Sequence, residues 1–351
     1  MFPAIAIADA LRKKHPAAEF LFVGALGKLE MEKVPEAGYR IEGLPVAGFQ
    51  RKLSLKNVSF FFKLAVSLIR SRRIVRRFDP HLAIGVGGYA SGPILKAAAR
   101  RKIPIMIQEQ NSYAGVTNRL LARAAAAICV AYDHMERYFP AEKIIITGNP
   151  IRSHLAGQSN REEALKEFGL KEGKPVCLVV GGSLGARTLN NSMRSAWERL
   201  AGEGIQLIWQ CGKQNYEDLA GDLEIPNDSG IRLLPFISRM DLAYAAADVI
   251  VSRAGAITIS ELCVIGKPVI LVPSPNVAED HQRKNAEALV SVRAALMIKD
   301  EEAPVCLGEN MISLVKDNRQ RASLAGNIKK LGIEDAADRI AREAAKLMEM
   351  K

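Results

Sequence analysis

Short, continuously apolar segments alternate with longer helical stretches along almost all of this 351-residue chain. Each apolar segment is hydrophobic at consecutive positions, which is typical of parallel strands covered by helices on both faces. Helical stretches of 10–20 residues separate the segments and give repeated strand–helix–strand units. The pattern predicts an α/β fold built from two doubly wound parallel sheets.

The candidate strands fall into a first group of five and a second group of six. They are Glu19–Val23, His81–Val86, Pro104–Gln108, Ala126–Val130 and Lys143–Thr147, then Pro175–Val180, Gln206–Trp209, Ile231–Leu234, Asp248–Ser252, Pro268–Val272 and Ala294–Ile298. The chain is too long for one ordinary core and predicts two domains of about 150 residues each. We place the domains at residues 1–150 and 151–333, with Gly148-Asn149-Pro150 as the linker. An amphipathic helix over residues 334–351 is expected to pack back on the N-terminal domain.

The composition, 48% hydrophobic and 25% charged, is that of a globular protein and excludes disordered or collagen-like chains. No apolar run reaches the roughly 18 residues that a membrane-spanning helix requires. The five cysteines are scattered without a CxxC pair, which favours reduced thiols over disulfides or a zinc site. The five histidines show no HxH or HExxH spacing, so no protein-bound metal is expected.

The positive charge is concentrated in the first half of the chain. Residues 1–150 hold 23 basic and 11 acidic residues, whereas residues 151–351 hold 26 and 27. Nine basic residues and no acidic one lie between Arg51 and Arg77, around an unusually apolar helical stretch. This composition favours a helix that rests on anionic lipid headgroups. The alternative is a core-facing helix with a solvated basic end. Nucleic acid is not expected as a partner, because no aromatic stacking platform accompanies the charge.

Two glycine- or small-residue loops in the second half follow predicted strands and precede helices. The first contains Gly181, Gly182, Ser183 and Gly185, and its helix begins near Ala186. Glycines allow close approach of a ligand, and a helix N-terminus offers unpaired N–H groups to phosphate. The alternative is a tight turn that binds no ligand.

The second of these loops leads from Arg253 into a helix that carries Thr258 in its first turn and Glu261 one turn later. An acidic residue at this position can accept hydrogen bonds from both hydroxyls of a ribose. Alternatively, it can stabilise the helix N-terminus. Two phosphate-compatible loops, one followed by an acid, favour a nucleotide-diphosphate ligand. A further polar loop ends at His281-Gln282 and is by itself a weak signal for a sugar site.

Two loops in the first half also lie at predicted strand ends. One is Gly85–Pro93, which carries Tyr89, and the other begins with the polar run Gln108–Ser112. Because ligands bind at the carboxyl ends of strands in α/β sheets, both loops are expected to line one cleft. The polar residues could also be ordinary helix caps and turn formers.

Seven motifs occur in order over nearly the whole sequence: FPAIA, GGYASGP, EQNSYAGVTN, GNPIR, GGSLGAR, RAGAITISE and EDHQ. Together they resemble the MurG family of peptidoglycan glycosyltransferases. The resemblance implies a GT-B architecture, with two Rossmann-like doubly wound domains facing across a cleft. It implies that the C-terminal domain binds UDP-N-acetylglucosamine (UDP-GlcNAc) and that the N-terminal domain binds lipid I. It also implies a peripheral location on the cytoplasmic side of the inner or plasma membrane, no cofactor, and partners among other cell-wall synthesis proteins.

The resemblance assigns roles residue by residue. On the acceptor side it implies catalytic roles for Tyr89, Glu109 and Asn118, with Glu109 as the expected general base. For substrate binding it implies Asn111 and Gln282 on sugar hydroxyls, Ser183 at the diphosphate with Asn190 nearby, and Ile237 at the uracil. It also implies that Arg152 contacts the nucleotide sugar and that the donor site includes Arg253, Ala256, Ile257, Thr258, Ile259, Ser260 and Glu261, with Glu261 on the ribose hydroxyls.

The sequence departs from the family pattern at two places. The family carries a strand and a GGTGGH loop directly before the Phe-Pro that is found here at Phe2-Pro3, and many members have His where this chain has Gln108. The first reading is an inverting transfer of N-acetylglucosamine to the C4 hydroxyl of the muramyl sugar of lipid I, which gives lipid II. Two alternatives are a UDP-GlcNAc 2-epimerase and a non-catalytic UDP-sugar-binding scaffold.

Overall fold

The computed structural model describes residues 1–46, 56–151, 160–182, 184–277 and 280–349, with the backbone alone over 56–61. The chain divides into two compact units. One unit is formed by Met1–Ile151 together with Asp335–Lys351, and the other by Arg152–Glu334. Among the described residues, no helix combines the length and the apolarity needed to cross a membrane.

The described strands match the predicted ones to within about two residues at each end, and one further strand is present. They are β1 (Leu21–Ala25), β2 (Arg40–Leu44), β3 (Ala83–Gly85), β4 (Ile105–Glu109), β5 (Ala127–Val130), β6 (Ile144–Ile146), β7 (Val176–Val180), β8 (Gln206–Gln210), β9 (Ile231–Leu234), β10 (Val249–Ser252), β11 (Val269–Leu271) and β12 (Leu296–Met297). The additional strand is β2, which contains two charged residues and pairs in parallel with β1.

The described helices alternate with these strands. They are α1 (Phe2–Lys14), α2 (Glu30–Glu36), α3 (Lys56–Phe78), α4 (Ser91–Arg100), α5 (Val116–Leu121), α6 (Arg161–Glu167), α7 (Arg187–Gly202), α8 (Lys213–Asp222), α9 (Met240–Ala246), α10 (Ala256–Ile265), α11 (His281–Ser291), α12 (Ala303–Lys316), α13 (Asn318–Lys329) and α14 (Ala336–Glu349). The alternation gives the parallel pairing that the apolar segments predict.

The first unit contains two parallel sheets. One pairs β1 with β2, and the other has the order β3-β4-β5-β6. A cavity of about 730 Å³ within this unit is lined by β1, by β3 and by residues of α1. Helix α14 covers part of the same unit, because Ile340 and Ala344 join Ile7 and Leu11 of α1 in one hydrophobic cluster.

The second unit is a single six-stranded parallel sheet with the order β12-β11-β10-β7-β8-β9. Its core is built from consecutive buried residues of β7 and β8 and includes Trp209, which is fully buried. In a sheet of this order the chain leaves neighbouring strands in opposite directions at β7 and β10, and a crevice opens at their carboxyl ends. The fold therefore places the loops after β7 and β10 side by side.

Candidate functional site

The loop after β7 is shaped by close backbone contacts that admit only glycine. Gly185 has φ +76°, and a Cβ atom on it would lie 1.9 Å from the carbonyl oxygen of Cys211. A Cβ atom on Gly212, which has φ +89°, would lie 2.4 Å from the backbone nitrogen of Gly185. The loops after β7 and β8 therefore interlock. Helix α7 then begins without a side-chain cap, so its first N–H groups remain available to an anion.

Asn190 stabilises the contact between these loops through side-chain hydrogen bonds. Its side chain is buried, Nδ2 donates to the carbonyl oxygen of Cys211 at 3.0 Å, and Oδ1 accepts from Nε1 of Trp209 at 3.0 Å. Both ends of the amide are thus used inside the protein. We infer that Asn190 supports the phosphate-compatible loop and does not contact a ligand directly.

The loop after β10 carries Arg253, whose guanidinium is fixed by two acceptors. Nη1 donates to the carbonyl oxygen of Val272 at 2.9 Å and to Oδ1 of Asp300. Oδ2 of Asp300 accepts from the hydroxyl of Thr188 in the first turn of α7 at 2.8 Å. Asp300 therefore connects the two loops that flank the crevice.

Gln282 joins two further backbone segments at the same edge. Its Oε1 accepts from the N–H of Ala254 at 3.2 Å and from the N–H of Ser274 at 2.9 Å. The carbonyl end of the side chain is thereby committed to the loops after β10 and β11. The amide nitrogen is the end that is able to donate to a ligand.

These residues surround an open cleft of about 690 Å³. Its walls combine the glycine loop, the start of α7, Arg253, Gln282, Asp300 and the segment Ser274–Asn276. Backbone N–H groups and a guanidinium are the donors that bind phosphate best, so the cleft suits an anionic ligand of nucleotide size.

The six predicted residues of helix α10 differ in how far they are buried. Like α7, it begins without a side-chain cap. Ala256, Ile257 and Thr258 are partly exposed, Ile259 is buried in the core, and the hydroxyl of Ser260 donates to the carbonyl of Ala256 at 3.1 Å. Glu261 is buried as well, with 4% of its surface exposed.

Three other predicted positions belong to this unit. Ile237 follows β9 and is buried. Arg152 and Ser183 lie outside the residues that the structure describes. Sequence reasoning missed Asp300 and Thr188, because neither residue lies in a glycine loop or a recognisable motif.

In the first unit, Glu109 organises the loop between β4 and α5. Glu109 is 2% exposed, and its carboxylate accepts four hydrogen bonds. Oε1 accepts from the backbone N–H and from Nδ2 of Asn111, at 3.1 and 3.3 Å. Oε2 accepts from the N–H of Gly115 at 3.0 Å and from Nδ2 of Asn118 at 2.8 Å. The structure thus brings together three of the predicted residues.

A second set of polar residues lies beside this loop. The buried Gln108 donates to Oδ1 of Asn149 at 2.9 Å, and Nδ2 of Asn149 donates to the carbonyl oxygen of Gln110 at 2.9 Å. The Oδ1 atom of Asn118 is buried and has no hydrogen-bond partner among the described residues. Tyr89, on the loop after β3, is 58% exposed. This edge of the unit therefore combines a fixed loop, an unused acceptor and an exposed phenol.

The cysteines contribute no reactive group that the site requires. All five are free thiols. Burial raises the pKa of Cys129, Cys177 and Cys263 to about 12, which keeps these thiols protonated at neutral pH. Across the described residues, His, Cys, Asp and Glu side chains form no group of three that could hold a metal ion.

Two family models match the chain. Residues 1–130 match the glycosyltransferase family 28 N-terminal domain, and residues 176–340 match the glycosyltransferase family 28 C-terminal domain. Together with the two parallel-sheet units, these matches define a glycosyltransferase of the α/β GT-B fold.

Similarity to curated proteins shows which family of glycosyltransferases the chain belongs to. A UDP-N-acetylglucosamine–N-acetylmuramyl-(pentapeptide) pyrophosphoryl-undecaprenol N-acetylglucosamine transferase of Phocaeicola vulgatus is 54% identical, over 99% of this chain and 93% of the relative. The Parabacteroides distasonis protein of the same name is 52% identical, over 100% and 96%. The crystal structure of Acinetobacter baumannii MurG superposes with a TM-score of 0.81 at 27% identity, over 98% of this chain and 95% of that one. The chain belongs to the MurG family within glycosyltransferase family 28.

The epimerase alternative finds support at the level of the fold alone. The crystal structure of a Neisseria meningitidis UDP-GlcNAc 2-epimerase bound to UDP-GlcNAc has a TM-score of 0.65 but 15% identity, over 97% and 95% of the two chains. The predicted GT-B fold, the MurG family and the glycosyltransferase class are confirmed by the closer matches.

Proposed function

We propose that this chain transfers N-acetylglucosamine from UDP-GlcNAc to the C4 hydroxyl of the muramyl sugar of lipid I, producing lipid II. The observation that carries the proposal is the cleft at the β7/β10 crevice, where a glycine loop, the uncapped start of α7 and Arg253 converge in a chain of this family. A nucleotide-sugar donor presents the diphosphate that such a cleft suits.

The second unit supplies the donor site in this proposal. The first turns of α7 and α10 offset the charge that develops on the diphosphate as it leaves, an electrostatic role that needs no movement of the protein. Arg253, Ser183 and Arg152 are proposed to contact the same group, with Thr258 beside it. Glu261 is proposed to accept from the ribose hydroxyls.

The remaining donor contacts come from one backbone segment and one side chain. The backbone at Ile237 is proposed to bind uracil. The amide nitrogen of Gln282, whose oxygen is already engaged, is proposed to donate to the sugar. Ile259 is assigned a packing role within α10, because its side chain is buried in the core.

The first unit supplies the acceptor side. Glu109 was expected to be the general base, but its carboxylate already accepts four hydrogen bonds and is shielded from solvent. We therefore assign Glu109 to ordering Asn111 and Asn118 for the acceptor, and Tyr89 to the exposed edge of that site.

The basic helix α3 is proposed to hold the enzyme on the cytoplasmic side of the membrane. Arg70, Arg72, Arg73 and Arg76 are exposed and close to the exposed apolar residue Ile69. Lipid I carries a polyprenyl chain, so an enzyme that acts on it gains from a surface that binds anionic headgroups. Each cation near such a surface contributes about 1 kcal/mol.

The transfer reaction is tested by following UDP release from UDP-GlcNAc with and without a lipid I analogue, together with mass analysis of the product. We expect UDP release that depends on the acceptor and a product heavier by one N-acetylglucosamine. Conversion of the donor to its manno isomer without acceptor would establish an epimerase instead. UDP-GlcNAc binding without any product would establish a scaffold.

Membrane attachment is tested separately by sedimentation with anionic vesicles. Reversing the charge at Arg70, Arg72, Arg73 and Arg76 is expected to abolish binding, because four attractions become repulsions. The matched control reverses four exposed cations of the second unit: Lys171, Lys174, Arg319 and Lys330. Equal loss in both variants, or unchanged binding in the first, would overturn the assignment to α3.

A further inference from the structure

Asp300 places a negative charge in a cleft that is otherwise suited to an anion. It lines the cleft with its carboxylate partly exposed, beside Arg253 and the start of α7. A carboxylate here repels a diphosphate through space. Its presence therefore calls for a function that outweighs this repulsion.

The hydrogen bonds of Asp300 indicate that function. One oxygen accepts from Nη1 of Arg253 and the other from the hydroxyl of Thr188, which is 112 residues away in sequence. Nη1 also donates to the carbonyl oxygen of Val272, so both of its N–H groups are used. Nη2 and Nε form no hydrogen bond within the described part of the chain, which leaves three N–H groups of a rigid fork available.

We propose that Asp300 is a positioning residue for the donor: it fixes the Arg253 guanidinium so that the Nη2 and Nε edge is presented to the diphosphate. The inference rests on the proposed function, because it takes a nucleotide diphosphate as the ligand. Arg side chains lose much rotamer freedom on binding, and a pre-ordered fork avoids that loss at the moment of binding. Through Thr188, the same carboxylate fixes the guanidinium relative to the first turn of α7.

The two effects of Asp300 have opposite signs, which makes the proposal testable. Removing the carboxylate removes a repulsion and by itself tightens UDP binding. Releasing Arg253 weakens UDP binding. We expect the loss of positioning to outweigh the loss of repulsion, so Asp300→Ala should lower the affinity for UDP by about tenfold. Asp300→Asn keeps an acceptor for Arg253 without the charge, and it is expected to bind UDP as well as the unaltered chain or better.

Calorimetric titration of the full chain with uridine, UMP and UDP tests this. In Asp300→Ala the loss should grow with phosphate number and be absent for uridine. In an Arg253→Ala background the same substitution should no longer weaken UDP binding and should tighten it slightly, because the residue it positions is gone and only the repulsion is removed. Glu301→Gln, at the exposed neighbouring carboxylate, is the control and should leave all three affinities unchanged.

Several outcomes would overturn the proposal. They are tighter UDP binding by Asp300→Ala, equal weakening of uridine, and a loss that persists in the Arg253→Ala background. If Asp300→Ala does not fold, Thr188→Val is the alternative variant, because it removes one hydrogen bond to the same carboxylate. It should lower the affinity for UDP by about threefold and leave the affinity for uridine unchanged. Unchanged UDP affinity in Thr188→Val would also overturn the proposal. Absence of UDP binding by the unaltered chain would instead refute the proposed function.

Discussion

The carboxyl-end loops of the two units use hydrogen bonds in opposite ways. In the second unit, the oxygens of Gln282 and Asp300 are engaged inside the protein, while two helix starts and one edge of Arg253 keep their donors. In the first unit, the carboxylate of Glu109 takes up four donors, and an acceptor, Oδ1 of Asn118, is left over. The same edge of a parallel sheet can thus suit an anion in one unit and a hydroxyl-bearing sugar in the other.

The largest effect is expected from a substitution that removes the hydrogen bonds accepted by Glu109 in the first unit. Glu109→Ala leaves one buried and three partly buried donors without their acceptor, so we expect transfer to fall at least about 100-fold and the free energy of unfolding to fall by about 3 kcal/mol. UDP affinity should be unchanged, because the donor loops are not touched. The measurements are transfer kinetics, chemical unfolding and UDP titration.

Two variants make this prediction specific. Glu109→Gln retains one carbonyl oxygen and should be intermediate, whereas Glu142→Ala, at an exposed glutamate of the same unit, should resemble the unaltered chain. Equal activity of Glu109→Gln and the unaltered chain would show that the carboxylate charge is unnecessary.

The next effect concerns the support beneath the donor loop. Asn190→Ala leaves the indole N–H of Trp209 unpaired in the core and removes one of the two side-chain donors to the carbonyl of Cys211, which should lower the free energy of unfolding by about 2 kcal/mol. Asn191→Ala, at the exposed neighbouring position, is the control. A loss of UDP affinity in Asn190→Ala with full stability would instead place Asn190 in direct contact with the ligand.

The next effect concerns the stability of the second unit and not its ligand binding. Lys267, before β11, donates to the carbonyl oxygens of Ala245 and Ala247, and burial lowers the pKa of its amine to about 8. Between pH 8 and about 10.5 the unfolded chain holds a proton on this group that the folded chain does not, so folding becomes more favourable as pH rises.

The measurement compares the unaltered chain with Lys267→Met across this pH range. The difference in unfolding free energy should move in favour of the unaltered chain by up to about 1.4 kcal/mol per pH unit. Lys330→Met, at an exposed lysine, should show no such slope. A slope of the opposite sign would mean that the folded protein stabilises the ammonium.

The smallest effect tests whether Gln282 acts through its nitrogen. Gln282→Ala removes one acceptor from two backbone N–H groups and one donor from the sugar, so we expect KM for UDP-GlcNAc to rise about fivefold. Affinity for UDP, which lacks the sugar, should change much less. The exposed Gln320 provides the control substitution, and an equal loss for UDP and UDP-GlcNAc would contradict the sugar contact.

Much of the fold could be predicted because its signals are local. Continuous apolar runs gave the strands, since a strand buried on both faces must be apolar at consecutive positions. Glycines marked the loop after β7, since only glycine fits a backbone as close as that of Gly185 to Cys211. Strand β2 was missed because its charged, half-buried residues become a strand only through pairing with β1.

The chemical state of the site residues was decided by tertiary structure. The sequence identified Glu109 and Arg253 as polar residues at strand ends, and the family resemblance added Asn190 on the helix after the glycine loop. Their partners, however, come from distant segments or from the turn of a loop. Asp300 lies 47 residues from Arg253 and 112 from Thr188, and no local pattern links the three. The sequence determined which loops would meet at the edge of the sheet, because sheet order follows from repeated crossovers. Folding alone decided which atoms there are already bonded, because a hydrogen bond depends on a distance that sequence separation does not fix.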